Sequence, residues 1–460
     1  MTAAFSMTLK QVADAMGADY QGEDIQLHGV STDTRSIQPG ELFVALIGPN
    51  FDGHEYIKQA RDKGAVACMV SEAHDSGNEI HVDDTRLGLG KLAGIWRAQL
   101  KLPVIAVTGS NGKTTVKEML AAIFKHETKK AERVLATRGN LNNDIGLPLT
   151  LLQLNEQHQY AVIEMGANHP NEIKYLSGIA QPDIALVTNA GAAHLEGFGS
   201  LEGVAKAKGE AFTTLHDGAT AIVNADDAFY SLWREMINNT SNSINVVTFG
   251  LNQNADVSAR WQATGQGSML EVSTAQGSFD VEIKLLGEHN VMNALAAVAT
   301  SMVAGVSIDA IQAGLNDVQV VPGRLQLKTG LNGSRVIDDT YNANPTSLSA
   351  AIHVLKTFPG AHYLALGDMG ELGAETKGIH EQAGIDAKKN GVDHLYTVGA
   401  MASSAAQTFG KNSFVFDTHQ SAIKTIQKDL NANVTLLVKG SRLSHMEYVV
   451  DALTVSAGGD

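Results

Sequence analysis

The chain has 460 residues, 44% of them hydrophobic and 18% charged, with a formal net charge of −15. That length exceeds a single core and implies about two to four domains of ordinary globular composition. The negative balance excludes nucleic acid or an anionic membrane as the main partner, so anionic ligands have to be met by local basic residues.

The opening residues, MTAAFSMTLKQV, lack a basic flank followed by an apolar core, so no signal peptide is expected. The longest apolar stretch, residues 292–306, is short and broken by Asn293, Thr300 and Ser301, which excludes a spanning helix. A cytoplasmic location is the expectation. Residues 1 to about 100 alternate elements of their own: LKQVADAMG reads as a helix, LFVAL as a strand, HEYIKQARDKG as a helix and AVACMV as a strand. Cys68, the only cysteine, sits in that last apolar run as a small buried hydrophobe, and no intramolecular disulfide can form. Between the first helix and strand lies a polar, turn-rich segment in which Ser31, Thr34 and Arg35 flank Thr32 and Asp33. Hydroxyls, a carboxylate and a guanidinium within five residues suit a sugar–phosphate ligand, and a capped turn with an exposed Arg accounts for them equally well. A helix over 87–100 leads to Lys101-Leu102-Pro103, the first expected boundary.

Residues 103–115, PVIAVTGSNGKTT, are the strongest signal in the chain. A β-branched strand, a glycine turn and an amphipathic helix in that order build a phosphate-binding loop, in which backbone N–H groups converge on an anion. Gly109, Ser110, Asn111, Gly112, Lys113, Thr114 and Thr115 are the expected ATP contacts. Lys113 supplies charge to the outer phosphates and Thr114 a hydroxyl to Mg²⁺. Val107 occupies the place of the usual first glycine of such loops. The strands VIAVTG, YAVIEMG, DIALVTNAG, AIVNA and VVTFG then predict a doubly wound parallel sheet, with an antiparallel appendage between Asp256 and Leu286. Glu164 ends one of these strands, where a Mg²⁺-holding carboxylate or a merely solvated one belongs, and His194 follows the next strand to the same rim, where a structural role competes about evenly with a functional one. The loop TRGNLNNDIGLP carries Asn140, Asn142 and Asn143 without apolar periodicity and reads as a binding loop. Lys206 and Lys208 lie on a helix over 201–212, where spacing alone reads them as solvated. Asn290 and Asn293 lie one helical turn apart near a helix start, so both amides can face one ligand, or His289 or Asn290 can cap that helix.

After Val321-Pro322-Gly323-Arg324 a third α/β unit follows, with strands RVIDDTY, HYLALGD, HLYTVG, SFVFD and VTLLVKG. Asp339 and Asn342 belong to DDTYNANP, between a strand and a helix, and Arg324 sits at the junction, where it can swing over a phosphate. Lys439, Ser441 and Arg442 end the last strand, and two cations there suit a carboxylate or phosphate. The expected class is therefore α/β in three domains: 1–101, 102–321 and 322–460.

In order and spacing, TGSNGKT, EMGAN, NAGAAHLEGFGS, AKAKGEAF, GEHNVMNALAA, GR and DDTYNANP resemble the Mur ligase family, the ATP-dependent amide-forming enzymes of peptidoglycan precursor synthesis. A loop lacking its first glycine is normal in that family, which accounts for Val107. The resemblance implies an N-terminal uridine-nucleotide-binding domain, a central ATPase domain and a C-terminal Rossmann-like domain. STDTR, GNLNNDIG, LGDMGELG and KGSR are most similar to the members that join D-alanyl-D-alanine to a UDP-N-acetylmuramoyl-tripeptide. The absence of a DNPR motif separates the chain from the diaminopimelate-adding members. The resemblance also implies that Lys208 is carbamylated and joins His194 at a second Mg²⁺, with Thr114 and Glu164 at the first. Asn290, Asn293, Arg324 and Asp339 match ATP-contacting positions. ATP and Mg²⁺ are the implied cofactors, and the implied catalytic set is Lys113, Glu164, His194 and Lys208. Its partners would be small molecules met by a monomer. Another ligase of the superfamily, such as a diaminopimelate- or lysine-adding member or folylpolyglutamate synthase, and a non-catalytic ATP-dependent switch are the competing readings.

Overall fold

The computed structural model describes residues 5–72 and 77–455. Residues 1–4, which begin the stretch read for a signal peptide, lie outside the described residues. Three main sheets follow one another along the chain. The first has five strands in the order Asp19–Gln21, Glu79–His81, Ala67–Val70, Leu42–Val44 and Val30–Ser31, parallel except for Asp19–Gln21. Its opening helix, Leu9–Met16, is fixed by a Thr8/Gln11 capping box. The expected second helix divides into a 3₁₀ turn, Gly53–Tyr56, and a short helix, Ile57–Asp62. Cys68 is fully buried, and burial pushes its thiol up to about 11, as a small core residue requires.

The second sheet is wholly parallel, with strand order Val134–Ala136, Tyr160–Glu164, Val104–Thr108, Ile184–Val187, Thr220–Asn224 and Asn245–Phe249. The phosphate-loop strand thus lies between the strand ending at Glu164 and the strand ending at Val187, with Val107 opposite both Glu164 and Leu186. All three open their carboxyl ends onto one crevice, where ligands of such sheets bind. Strands Ser258–Ala263, Ser268–Thr274 and Gly277–Ile283 form the expected antiparallel appendage. Edge strand Val134–Ala136 was not expected from the sequence.

The third sheet runs Gln326–Thr329, Arg335–Asp339, Val434–Lys439, Ala361–Gly367, His394–Val398 and Ser413–Phe416. All pairs are parallel except the unexpected edge strand Gln326–Thr329.

The core explains how the units meet. One continuous apolar cluster joins the first unit to the second through helix Thr85–Ala98, whose Leu89, Leu92 and Trp96 pack in the same core as Leu147, Leu151 and Leu176. Asp84 caps this helix, so it starts two residues before the expected 87. Trp96 Nε1 donates to the Leu154 carbonyl at 3.0 Å, and Arg97 Nη2 reaches Asp183 at 3.1 Å. The element read as closing the first unit is therefore rooted in the second. The third unit keeps clusters of its own on the two faces of its sheet, one of them also packed by Leu286 of the second unit.

Candidate active site

The phosphate loop folds as its glycines dictate. Gly109 has φ +142° and Gly112 has φ +84°, and a Cβ on Gly112 would lie 2.3 Å from Asn293 Oδ1. Helix Lys113–Thr128 starts directly behind Gly112, so its first free N–H groups face the crevice. Asn189 braces the loop: its Oδ1 accepts from Asn111 N and its Nδ2 donates to Asn111 O, both at 3.0 Å. Ser110 Oγ is held by Gly191, donating to its carbonyl at 3.0 Å and accepting from its N–H at 2.9 Å. Lys113 Nζ curls over the loop and donates to the Gly109 carbonyl at 2.7 Å. Burial draws its pKa down, against the pull of the Glu164 carboxylate.

Glu164 is almost fully buried at the end of its strand. Asn142 Nδ2 donates to its Oε1 at 2.8 Å, whereas Oε2 is buried with no hydrogen-bond partner. Of the three asparagines, Asn142 is thus the one tied to the carboxylate, while Asn143 Oδ1 accepts from Gly146 N at 2.9 Å, the first residue of helix Gly146–Leu151. Asn140, Asn142 and Asn143 all line a cavity of about 1060 Å³ that also holds Ser110 to Thr115, Glu164 and His194.

His194 adopts φ +53°, in the left-handed region, and its Nδ1 is paired with Glu371 of the third unit. Glu371 itself has φ +61°, and its carboxyl is held below the usual range by that imidazole. Two non-glycine residues in left-handed conformation meet at this point, the kind of backbone cost that is retained at working sites. Lys208 is 1% exposed, under the Phe198 ring at 5.3 Å, with its Nζ 3.3 Å from the Ala167 carbonyl. Burial, reinforced by the Lys113 charge, brings its pKa down to about 7. Lys206, by contrast, is a solvated partner of Glu202.

The third unit completes the cavity. Arg324 Nη2 donates to Thr114 Oγ1 at 3.1 Å, its guanidinium stacks on Tyr341 at 4.2 Å, and its Nε is buried without a partner. Asn344 caps helix Pro345–Leu355 and donates to Asn111 Oδ1 at 2.9 Å, leaving Asn111 Nδ2 buried and unpartnered. Asn290 and Asn293 sit inside helix Glu288–Val303, whose N-cap is Gly287 without a side-chain bond. Neither His289 nor Asn290 is the cap, because the glycine places both inside the first turn. Asn293 Nδ2 donates to Asn290 Oδ1 at 3.0 Å, aligning the two amides. Asp339 and Lys439 are register partners on adjacent strands and form a buried ion pair. Lys439 also donates to the Asn342 carbonyl at 3.0 Å, so its ammonium is committed within the fold. Ser441 lines the cavity, as does Arg442, which pairs with Glu447 at 3.4 Å.

Family models match along almost the whole chain: a Mur ligase family catalytic domain over residues 26–95, a Mur ligase middle domain over 107–301 and a glutamate ligase domain over 323–442. The chain belongs to the Mur ligase family. The UDP-N-acetylmuramoyl-tripeptide--D-alanyl-D-alanine ligase of Escherichia coli (strain K12) is 45% identical over 454 residues, 97% of this chain and 98% of that protein. The Bacillus subtilis (strain 168) protein of the same name is 34% identical over 464 residues, covering 98% of each. Crystal structure I of MurF from Acinetobacter baumannii superposes with a TM-score of 0.91 at 37% identity, covering 98% of this chain and 99% of that one. MurF ligase from Thermotoga maritima in complex with ADP gives 0.82 at 28% identity, covering 92% and 96%.

In this Mur ligase the structure brings the loop, Glu164, His194, the asparagines, Arg324 and Asp339 to one cavity. Ser31, Thr34, Arg35, Gly109 and the buried Lys208 are not among its lining residues. Ser31 Oγ and Thr34 Oγ1 turn to Asp33 O and Gln59, and Arg35 pairs with Asp33, whose pKa its hydrogen bonds hold down at about 2. Sequence reasoning missed Asn189, Asn344 and Glu371, and the pairing of Arg86 with Asp144 beside the asparagine loop. Asn189, Asn344 and Glu371 all lay within quoted motifs; only the fold shows whom they touch.

Proposed function

We propose that this Mur ligase joins D-alanyl-D-alanine to UDP-N-acetylmuramoyl-tripeptide with cleavage of ATP to ADP and phosphate, forming the pentapeptide precursor of peptidoglycan. The full-length likeness to ligases of that name supports the substrate pair. The observation that carries the chemistry is a set of buried, unpartnered polar atoms on residues that line one cavity: the acceptor Glu164 Oε2 and the donors Asn111 Nδ2 and Arg324 Nε. An acceptor beside donors suits a cation riding on an anion. Among the described residues no cluster of three His, Cys, Asp or Glu forms a ready cage. That donor set fits Mg²⁺, which keeps few protein ligands and leans on substrate phosphates. Thr114 and Glu164 would hold one ion, and His194 with carbamylated Lys208 a second. Bound Mg²⁺ supplies positive charge between the phosphates and the incoming carboxylate.

The tripeptide carboxylate attacks the γ-phosphorus, and the bond to the β-phosphate oxygen breaks, giving an acyl phosphate and ADP. The dipeptide amine then attacks the acyl carbon, the carbon–oxygen bond to phosphate breaks, and the nitrogen gives up its proton. Lys113 and Arg324 offset the repulsion of two anions, while Asn142 and the asparagine loop orient the acyl donor. Lys208, drawn down to about 7, keeps the neutral amine that CO₂ requires for carbamate formation. Residues 1–101 would seat the uridine nucleotide, with Ser31, Thr34 and Arg35 as its contacts. Residues 102–321 would hold ATP, and 322–460 close over it with Arg324 and Asp339 on the ATP side and Asn342, Lys439, Ser441 and Arg442 on the substrate side. We read the chain as a cytoplasmic monomer. Among the described residues no helix is long and apolar enough to cross a membrane.

Phosphate release with ATP, UDP-N-acetylmuramoyl-tripeptide and D-alanyl-D-alanine tests this reading. Release that depends on the dipeptide, with the pentapeptide mass appearing, is expected. Nucleotide binding with no amine-dependent ADP would instead identify a switch.

A further inference from the structure

Lys117 looks like a surface residue in VKEMLAAIFK, yet it is 1% exposed, one of the largest fully buried side chains among the described residues. It lies one helical turn beyond Lys113 on helix Lys113–Thr128. Its Nζ donates to the Thr137 carbonyl at 2.7 Å and pairs with the half-exposed Glu118 carboxylate at 2.8 Å. Burying an ammonium is costly, and an apolar side chain of similar volume is often neutral or stabilising in its place. A buried lysine held this way calls for a reason other than stability.

The partner supplies one. Thr137 is the first residue after edge strand Val134–Ala136, and its own N–H is held by the Val162 carbonyl at 3.0 Å. Its hydroxyl accepts the N–H of Glu164 at 2.9 Å. From the same loop Asn142 donates to Glu164 Oε1, and its carbonyl accepts Gly166 N at 2.8 Å. A connected path therefore runs from the phosphate-loop helix through Lys117 and Thr137 to the backbone of Glu164, whose Oε2 is the unpartnered acceptor in the cavity. We propose that Lys117 is a positioning residue: acting through Thr137, it fixes the Glu164 carboxylate relative to the phosphate loop and so sets the affinity of the site for a divalent cation with nucleotide. The inference rests on the reading of Glu164 as a cation ligand.

Mn²⁺ binding in the presence of ADP, followed by electron paramagnetic resonance, tests it on the full chain. Lys117→Met and Thr137→Val are each expected to weaken Mn²⁺ binding about 10- to 100-fold, the usual effect of losing a residue behind a metal ligand. The KM for D-alanyl-D-alanine and the circular dichroism spectrum should stay unchanged, and Lys117→Arg should restore part of the affinity. A merely structural lysine would lower the melting temperature and leave Mn²⁺ affinity alone. Thr137→Val, which keeps shape and adds no charge, decides the matter if Lys117→Met does not fold. Wild-type affinity in Thr137→Val overturns the proposal. Glu164→Gln separates the two levels. If it loses Mn²⁺ while the other variants do not, only the role of Lys117 and Thr137 falls. If it retains Mn²⁺, the reading of Glu164 falls and takes this inference with it.

Discussion

The two joints of this molecule are built on opposite principles. Between the first and second units lies continuous apolar packing around helix Thr85–Ala98, with Trp96 8% exposed and hydrogen-bonded across the joint to Leu154. Between the second and third units Leu286 packs against the third unit's core, and the contacts around the cavity are single and polar: Asn344 to Asn111, Arg324 to Thr114, Thr346 to the N–H of Ala192, and Glu371 to His194. A buried large side chain contributes about 1.5–3 kcal/mol, a neutral hydrogen bond about 0.5–1.5 net and an exposed ion pair less than about 1. The first joint is therefore expected to hold through turnover, and the second to open for substrate and close on it. All four polar contacts sit at the phosphate loop or on the segment leading to His194. The joint with polar contacts around the cavity is the one that borders the phosphate loop.

The largest effect belongs to the fixed joint. Trp96→Ala should cost about 3–5 kcal/mol in urea unfolding and loosen the first and second units together. Separate unfolding of the first unit with the second unaffected would break the contrast. At the opening joint, Lys113→Ala should lower kcat by about 10²- to 10³-fold with an unchanged melting curve, and normal turnover would contradict its role. Lys208 supplies a pH test. Its folded pKa lies below its ordinary 10.5, at about 7, so the unfolded chain binds more protons between those values and stability rises with pH across that window. In CO₂-free buffer, Lys208→Met should melt roughly 2–4 °C above the parent at pH 7, and the gap should shrink by pH 9. A constant gap would refute the shift. The smallest effect is at the latch: Glu371→Ala should change stability by less than about 1 kcal/mol. A loss as large as that of Trp96→Ala would make the second joint structural too.

Much of this was legible in the sequence because buried parallel strands leave continuous β-branched runs and the phosphate loop is local. VIAVTG, YAVIEMG and DIALVTNAG each became the expected strand, and the order of their ends placed Glu164 and His194 at one rim. The two edge strands escaped notice for physical reasons. Val134–Ala136 is an apolar run of only three residues, and Gln326–Thr329 alternates half-buried with exposed residues, so neither carries a run long enough to read as a strand. Lys117 was invisible because a charge on an amphipathic helix reads as its wet face, and its partner lies 20 residues away. The Asn111–Asn344 bond spans 233 residues and belongs to tertiary packing alone.

Distance measurement across both joints tests the central contrast most directly. Cys68 is buried, so spin labels can be placed on cysteines introduced at the exposed positions Lys58, Asn238 and Lys411, one in each unit. Double electron–electron resonance should show a 238–411 distribution that is broad in the free enzyme and narrow with an ATP analogue and UDP-N-acetylmuramoyl-tripeptide bound. The 58–238 distribution should stay the same throughout. A 238–411 distance indifferent to both ligands, or a 58–238 distance that moves as much, would contradict the account.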